Sequence, residues 1–451
     1  MRIAGARVAG AVAVGAFACA GAVAGCGAST PPGDRITAHE LTIYASLPLQ
    51  GTSADTGEAV LAGASLALSQ QGGRIGRLPV TLRPLDDATA ARGGWDPGQT
   101  SANARQAAAD PSTIAYLGDL DSGASAVSIP VLERSGIPQV SPTSTAVGLT
   151  SGGPGASPGE PQKYYPTGER TFVRIVPDDA AQAQAQVALQ RSAGCTSTYA
   201  LDDGGVDGEA SAESFSQIAP SAGLRLAAVG TFDPAASDFT PAVAAVAATG
   251  ADCVLLSARA GPAAVALTER LAAALPRASL FATASLAHDA YTDPRQGGLP
   301  AALDPRVVIT SPALGLRAYP AAATRFLAGY QVRSQSPRFP TLATRSRSGA
   351  RLRPGSGAGL ALQVRSGSPP PDAILGYEAM SLLLGAINRA SEDGRRAVRR
   401  TRVLAALFAT RERHSVLGTY SLTSAGDTTL RRFGAYRLAR GRRYFWRVLD
   451  G

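Results

Sequence analysis

The sequence predicts an α/β protein of two doubly wound parallel-sheet lobes. Three observations carry that expectation. The chain has 451 residues, 45% of them hydrophobic and 17% charged, enough to bury two cores of ordinary size. Short apolar runs bounded by turns alternate with longer stretches of helical spacing, and this strand, loop, helix series runs twice. Two strand ends in the first series bring hydroxyl-rich turns to one place, and the crevice beyond the carboxyl edge of an open parallel sheet is where ligands bind.

The first 35 residues stand apart from that pattern. Arg2 and Arg7 precede an apolar run over 8–24, and Val23-Ala24-Gly25-Cys26 is a small-residue cleavage site ending in cysteine. Such a run is too short and Gly-rich for a good membrane span and reads as a secretory signal. It resembles a bacterial lipoprotein signal over 1–25, with Cys26 as the lipidated first residue and 26–35 as a polar tether.

From Leu41 the strands and helices follow in order. Residues 41–45 and 78–85 read as strands and 57–70 and 100–109 as helices, with Gly72-Gly73 and Asp110-Pro111 as stops. The stretch 118–145, GDLDSGASAVSIPVLERSGIPQVSPTST, leaves a strand, opens a helix near Ser122 and closes on a second strand and turn. Its hydroxyls, backbone N–H groups and helix dipole suit a carboxylate. A loop rich in Gly, Pro and Ser spans 151–168. A second series follows, with strands near 171–176, 198–201, 224–232, 253–256, 279–282 and 307–310. Helices fall between them, and more are expected over 321–332, 372–390 and 397–409 before closing strands at 418–422, 433–438 and 444–448. Residues 334–371 are rich in Ser, Arg, Gly and Pro without apolar period, which predicts a disordered insertion, the alternative being an interaction loop.

Charge excludes less than it suggests. The net charge is +9, but the arginines cluster without aromatic interleaving, which favours a solvated surface, or attraction to an anionic membrane face, over nucleic acid. No Gly-x-Ser-x-Gly elbow, P-loop or metal-ligand spacing appears, and His39, His288 and His414 are scattered. Neither catalysis nor a cofactor is therefore expected. The pairs Asp86-Asp87 and Asp202-Asp203 point opposite ways on a strand and are expected to cap loops.

Several of these segments, in this order, resemble one family. They are Leu47-Pro48-Leu49-Gln50-Gly51, Asp86-Asp87, the 118–145 stretch, Phe172-Val173-Arg174, Gly376-Tyr377-Glu378-Ala379-Met380, Leu417-Gly418 and Ser424-Ala425-Gly426-Asp427. The set is similar to type I periplasmic binding proteins, in particular the branched-chain amino acid binding proteins of ABC transporters. The resemblance implies a clamshell with three crossovers, one lobe from 36–175 and 311–414 and the other from 176–310 and 415–451. It implies capture of an amino acid or related small carboxylate by hinge closure and delivery to an ABC permease, outside the cytoplasm and held to the membrane by lipid. A sensor of the same fold signalling to a receptor or kinase is the alternative.

Site residues carry over by position. Ser122 matches a serine whose hydroxyl meets the ligand carboxylate, Thr143 a position offering backbone groups, and Thr145 a threonine touching carboxylate and ammonium. Other positions depart from the family. Thr56, Asp207 and Arg259 fall where or near where cleft tyrosines stand, and Ser285 near the acid that pairs the ammonium. Arg259 either binds a second acidic group or is a solvated strand-end arginine. Cys195 and Cys253 precede neighbouring strands of the second lobe, so in an exported protein a disulfide is expected rather than two thiols.

Overall fold

The computed structural model describes residues 34–335 and 369–451. The signal, Cys26, most of the tether and most of the insertion expected at 334–371 lie outside them. Two sheets organise the rest. The first runs Arg74–Ile75, Leu78–Asp86, Leu41–Leu47, Thr113–Leu117, Gln139–Ser141 and Phe172–Arg174. All its pairings are parallel except the short hairpin at Ile75 and Leu78. Every residue of Leu41–Leu47 is buried, as a central parallel strand covered on both faces requires.

The second sheet runs Arg225–Thr231, Ser197–Asp202, Cys253–Ser257, Ser279–Ala282 and Val307–Ser311 in parallel, then Arg432–Ala439 and Arg442–Asp450 antiparallel. Helices fill the crossovers, and their starts are written locally. Asp96 and Asp178 accept from the N–H groups of Gln99 and Ala181, each capping the helix it precedes. Among the described residues no helix is long and apolar enough to cross a membrane.

Two expectations change. Val416, Leu417, Tyr420 and Leu422 pack in the core of the first lobe, whereas Phe433 and Ala435 belong to the second. The third crossover therefore lies between Leu422 and Phe433 rather than at 415, because the apolar residues after 415 continue the face of the Ala373–Ala390 helix's own lobe. The acid pairs also divide. Asp86 accepts from Leu49 N–H and Ala88 N–H, and Asp202 and Asp203 from Gly204 and Gly205, as loop caps do. Asp87 instead is fully buried beside Asp119, and burial followed by the Asp119 charge raises its carboxyl well above the usual range.

Cys195 and Cys253 form a disulfide with Cα atoms 5.9 Å apart, at the entry to two paired strands. The crossovers are tied as well. Arg174, fully buried at the end of its strand, donates to Asp427 (2.7 Å), the Ala146 carbonyl (2.7 Å) and Thr150 (2.5 Å), joining the first crossover to the third.

Candidate functional site

The two lobes meet over a cavity of about 60 Å³. Thr56, Asp121, Thr143 and Thr145 face it from the first lobe. Asp207, Ser285 and His288 face it from the second, and Asp372 borders it at the start of the Ala373–Ala390 helix. Five of the seven expected ligand residues therefore line one cavity. Ser122 and Arg259 are not on its lining.

Ser122 is buried behind the surface. Its Oγ accepts from Thr145 N–H and Ala146 N–H, both at 3.1 Å, so the hydroxyl expected to meet a carboxylate holds the turn together. The backbone N–H groups of Ser122 and Gly123 do meet a carboxylate, that of Asp207 from the opposite lobe, at 2.6 and 3.3 Å. This is the contact that a helix start offers an anion. Thr143 donates its hydroxyl hydrogen to the Leu120 carbonyl (2.6 Å), and Thr143 and Ser144 N–H groups donate to Ser141 Oγ (3.3 and 3.0 Å).

Arg259 lies at the cleft rim. Its N–H donates to Asp203 (2.7 Å) and its guanidinium stands over the Trp95 ring of the first lobe at 5.5 Å, a cation–π contact across the gap. It is thus neither a strand-end arginine left to solvent nor a ligand clamp in this arrangement. A second bridge is made by His288, whose Nδ1 lies 3.1 Å from Thr56 Oγ1 and 3.4 Å from Asp55. Asp55 also accepts from Asp289 N–H (3.2 Å). Burial opposes the charged form of both groups. Their mutual hydrogen bond and charge prevail, holding Asp55 down to about 2 and the imidazole above its ordinary value.

Asp121, Asp372, Asp55 and His288 are site residues that the sequence does not single out. Asp121 lies inside the stretch that it does, and a position just before a helix is a usable signal. His288 and Asp55 are separated by more than two hundred residues, and only the packing of one lobe against the other joins them. Burial and then the charge of Asp207 push Asp121 up to about 7, against the opposing charges of Arg259 and His288. Among the described residues the one set with metal-ligand closeness is Cys195, Asp252 and Cys253, whose sulfurs are spent in the disulfide.

Comparisons agree with this architecture. A family model described as "Periplasmic binding protein" matches residues 40–344. Among solved structures, the leucine-binding protein LivK of Thermotoga maritima is 17% identical, with a TM-score of 0.67 over 91% of this chain and 99% of its own. LivJ of Streptococcus pneumoniae, solved with isoleucine, is 15% identical, with a TM-score of 0.67 over 91% and 100%. A solute-binding protein of R. palustris, solved with benzoate, is 17% identical, with a TM-score of 0.63 over 91% and 96%. At such identities these likenesses bear on the fold. No curated protein sequence matches the chain.

Proposed function

Because the chain belongs to the periplasmic binding protein family, we propose that it is an extracytoplasmic solute-binding protein. Its lobes would close by hinge motion on a small amino-acid-like ligand and hand it to an ABC permease, with no bond made or broken. The observation that carries this reading is a cavity bounded by both lobes, with polar side chains converging on it from Thr56, Thr143 and Thr145 on one side and Ser285 and His288 on the other. Clefts between domains with a few convergent polar groups are a usual place for a small-molecule site.

A thermal-shift screen over amino acids, amines, amides and small aromatic carboxylates tests the reading. A ligand at about 100 times its dissociation constant adds roughly 2.7 kcal/mol of stability, which is easily read as a raised melting temperature. If no class shifts the melt, solute capture is the wrong function. For the anchor we propose lipidation at Cys26, on the small residues before it. Cys26→Ser is expected to release the protein from the membrane fraction into the medium, and retention at the membrane would exclude lipidation there.

A further inference from the structure

Given solute capture in the cleft, the reading on which this inference rests, the hydrogen-bond pattern of the cleft sets the charge of the ligand. A carboxylate needs donors. Six backbone N–H groups at the two strand ends could supply them, and all six are engaged. Ser122 and Gly123 donate to Asp207, Thr145 and Ala146 to Ser122 Oγ, and Thr143 and Ser144 to Ser141 Oγ. Asp207 decides the matter, since a carboxylate of the chain itself already sits where the helix start would hold an anion. Thr143 spends its hydroxyl hydrogen on Leu120, so toward the cleft it offers lone pairs.

Carboxylates outnumber basic side chains on the lining. Asp121, Asp207 and Asp372 border the cavity, and among the described residues His288 is the one basic side chain on its lining, with its Nδ1 held by Thr56 and Asp55. Asp121 Oδ2 is buried and takes a hydrogen bond from no described residue. Asp372 is 7% exposed, and its ion-pair partner Arg443 lies 3.9 Å away, at the limit of contact. Burial raises the carboxyl of Asp372 as it does that of Asp121, the behaviour of acids whose charged forms lack sufficient partners. The chain as a whole carries +9, so the acidity of the cleft runs against the charge of the molecule.

We propose that the cleft selects its ligand through a cationic nitrogen, an ammonium or guanidinium group held by Asp121 and Asp372, while Asp207 keeps the helix-start amides from a competing carboxylate. A charged donor entering the cleft would supply the charge-assisted hydrogen bonds that these carboxylates lack. A basic amino acid and a simple alkyl amine or guanidine share this chemistry.

Titration calorimetry of the full chain with agmatine, arginine, leucine and benzoate tests it. Agmatine or arginine is expected to bind at least tenfold more tightly than leucine or benzoate. Preference for agmatine identifies a simple guanidine as the source, and preference for arginine a basic amino acid. Asp121→Asn, nearly isosteric, is expected to weaken the guanidine at least tenfold while circular dichroism shows the fold retained. Asp207→Ala, which frees the amide pair, is expected to raise the affinity for leucine or benzoate at least tenfold. Leucine or benzoate bound by the unaltered chain with neither guanidine bound overturns the inference and leaves solute capture standing. Guanidine binding unchanged in Asp121→Asn overturns the assignment of Asp121. Heat from none of the four overturns the inference, and an empty wider screen then removes solute capture with it.

Discussion

Ser122 shows how a residue can be placed correctly and given the wrong work. Its position at the start of the Ser122–Glu133 helix follows from the sequence, but its hydroxyl turns inward to accept from Thr145 N–H and Ala146 N–H. Ser122→Ala would leave two buried backbone donors unpaired. The cost of such groups is about 1–3 kcal/mol, so denaturant unfolding is expected to show a loss near 2 kcal/mol with an unchanged m-value. A loss under about 0.5 kcal/mol would mean that the turn finds other acceptors. No pattern in the sequence could have revealed that Asp207, 85 positions away, takes the anion site, because the contact joins residues of different lobes.

Among the elements, the packing of Ala54–Gln70 on Ala373–Ala390 explains the Gly376-Tyr377-Glu378-Ala379-Met380 segment. A Cβ on Gly376 would overlap the Val60 carbonyl, and one on Gly63 the Ala373 carbonyl, so these helices touch backbone to backbone. Gly376→Ala must push them apart, at about 1–3 kcal/mol for overpacking, more than the roughly 1 kcal/mol that alanine returns in helix propensity. Gly385, in the same helix, would meet only the ends of Arg389 and Arg413 at 3.4 and 3.5 Å. Thermal melts should therefore fall for Gly376→Ala and hold or rise for Gly385→Ala; equal effects would contradict the close approach. The disulfide closes a separation of 58 residues. Loop entropy puts its contribution at about 4 kcal/mol, and Cys195→Ser with Cys253→Ser should lower unfolding stability by about 2–5 kcal/mol. The pairing is legible because strand order can be inferred, whereas the Thr419–Tyr420 strand joins the lobe opposite to the expected one because a short apolar run does not say which core it enters.

At the scale of the whole molecule, buried acids set the pH response. Burial pushes Asp121 and Asp179 up to about 7. The charge of Asp207 adds to both, Asp119 adds to Asp121, and Arg259 and His288 oppose at Asp121. Ser211, Thr145 and Arg174 oppose at Asp179. Between their ordinary value near 3.8 and about 7 the folded chain holds protons that the unfolded chain releases, so stability falls as pH rises through that window. His288, raised by Asp55, contributes below its ordinary 6.5 and loses that contribution as pH climbs through its raised value. Asp55, held down to about 2, contributes above 3.8 and loses its contribution as pH falls toward 2. Melting temperature is expected to peak near about pH 4, and Asp121→Asn to flatten the decline above it. A maximum at pH 8 in the unaltered chain would refute the sign of these shifts.

What the sequence determined by itself was local and periodic. The strand and helix series, the helix start at Asp178 and the two-lobe class follow from residue spacing, and the positions of Thr56, Thr143, Thr145, Asp207 and Ser285 follow from the family resemblance carried along the chain. Tertiary structure alone decided which groups meet across the cleft. Asp207 on the Ser122 and Gly123 amides, His288 on Asp55 and Arg259 over Trp95 join residues from different lobes. Hydrogen bonds and charges act over a few ångströms, and no one-dimensional pattern records which distant side chains the fold brings within that reach.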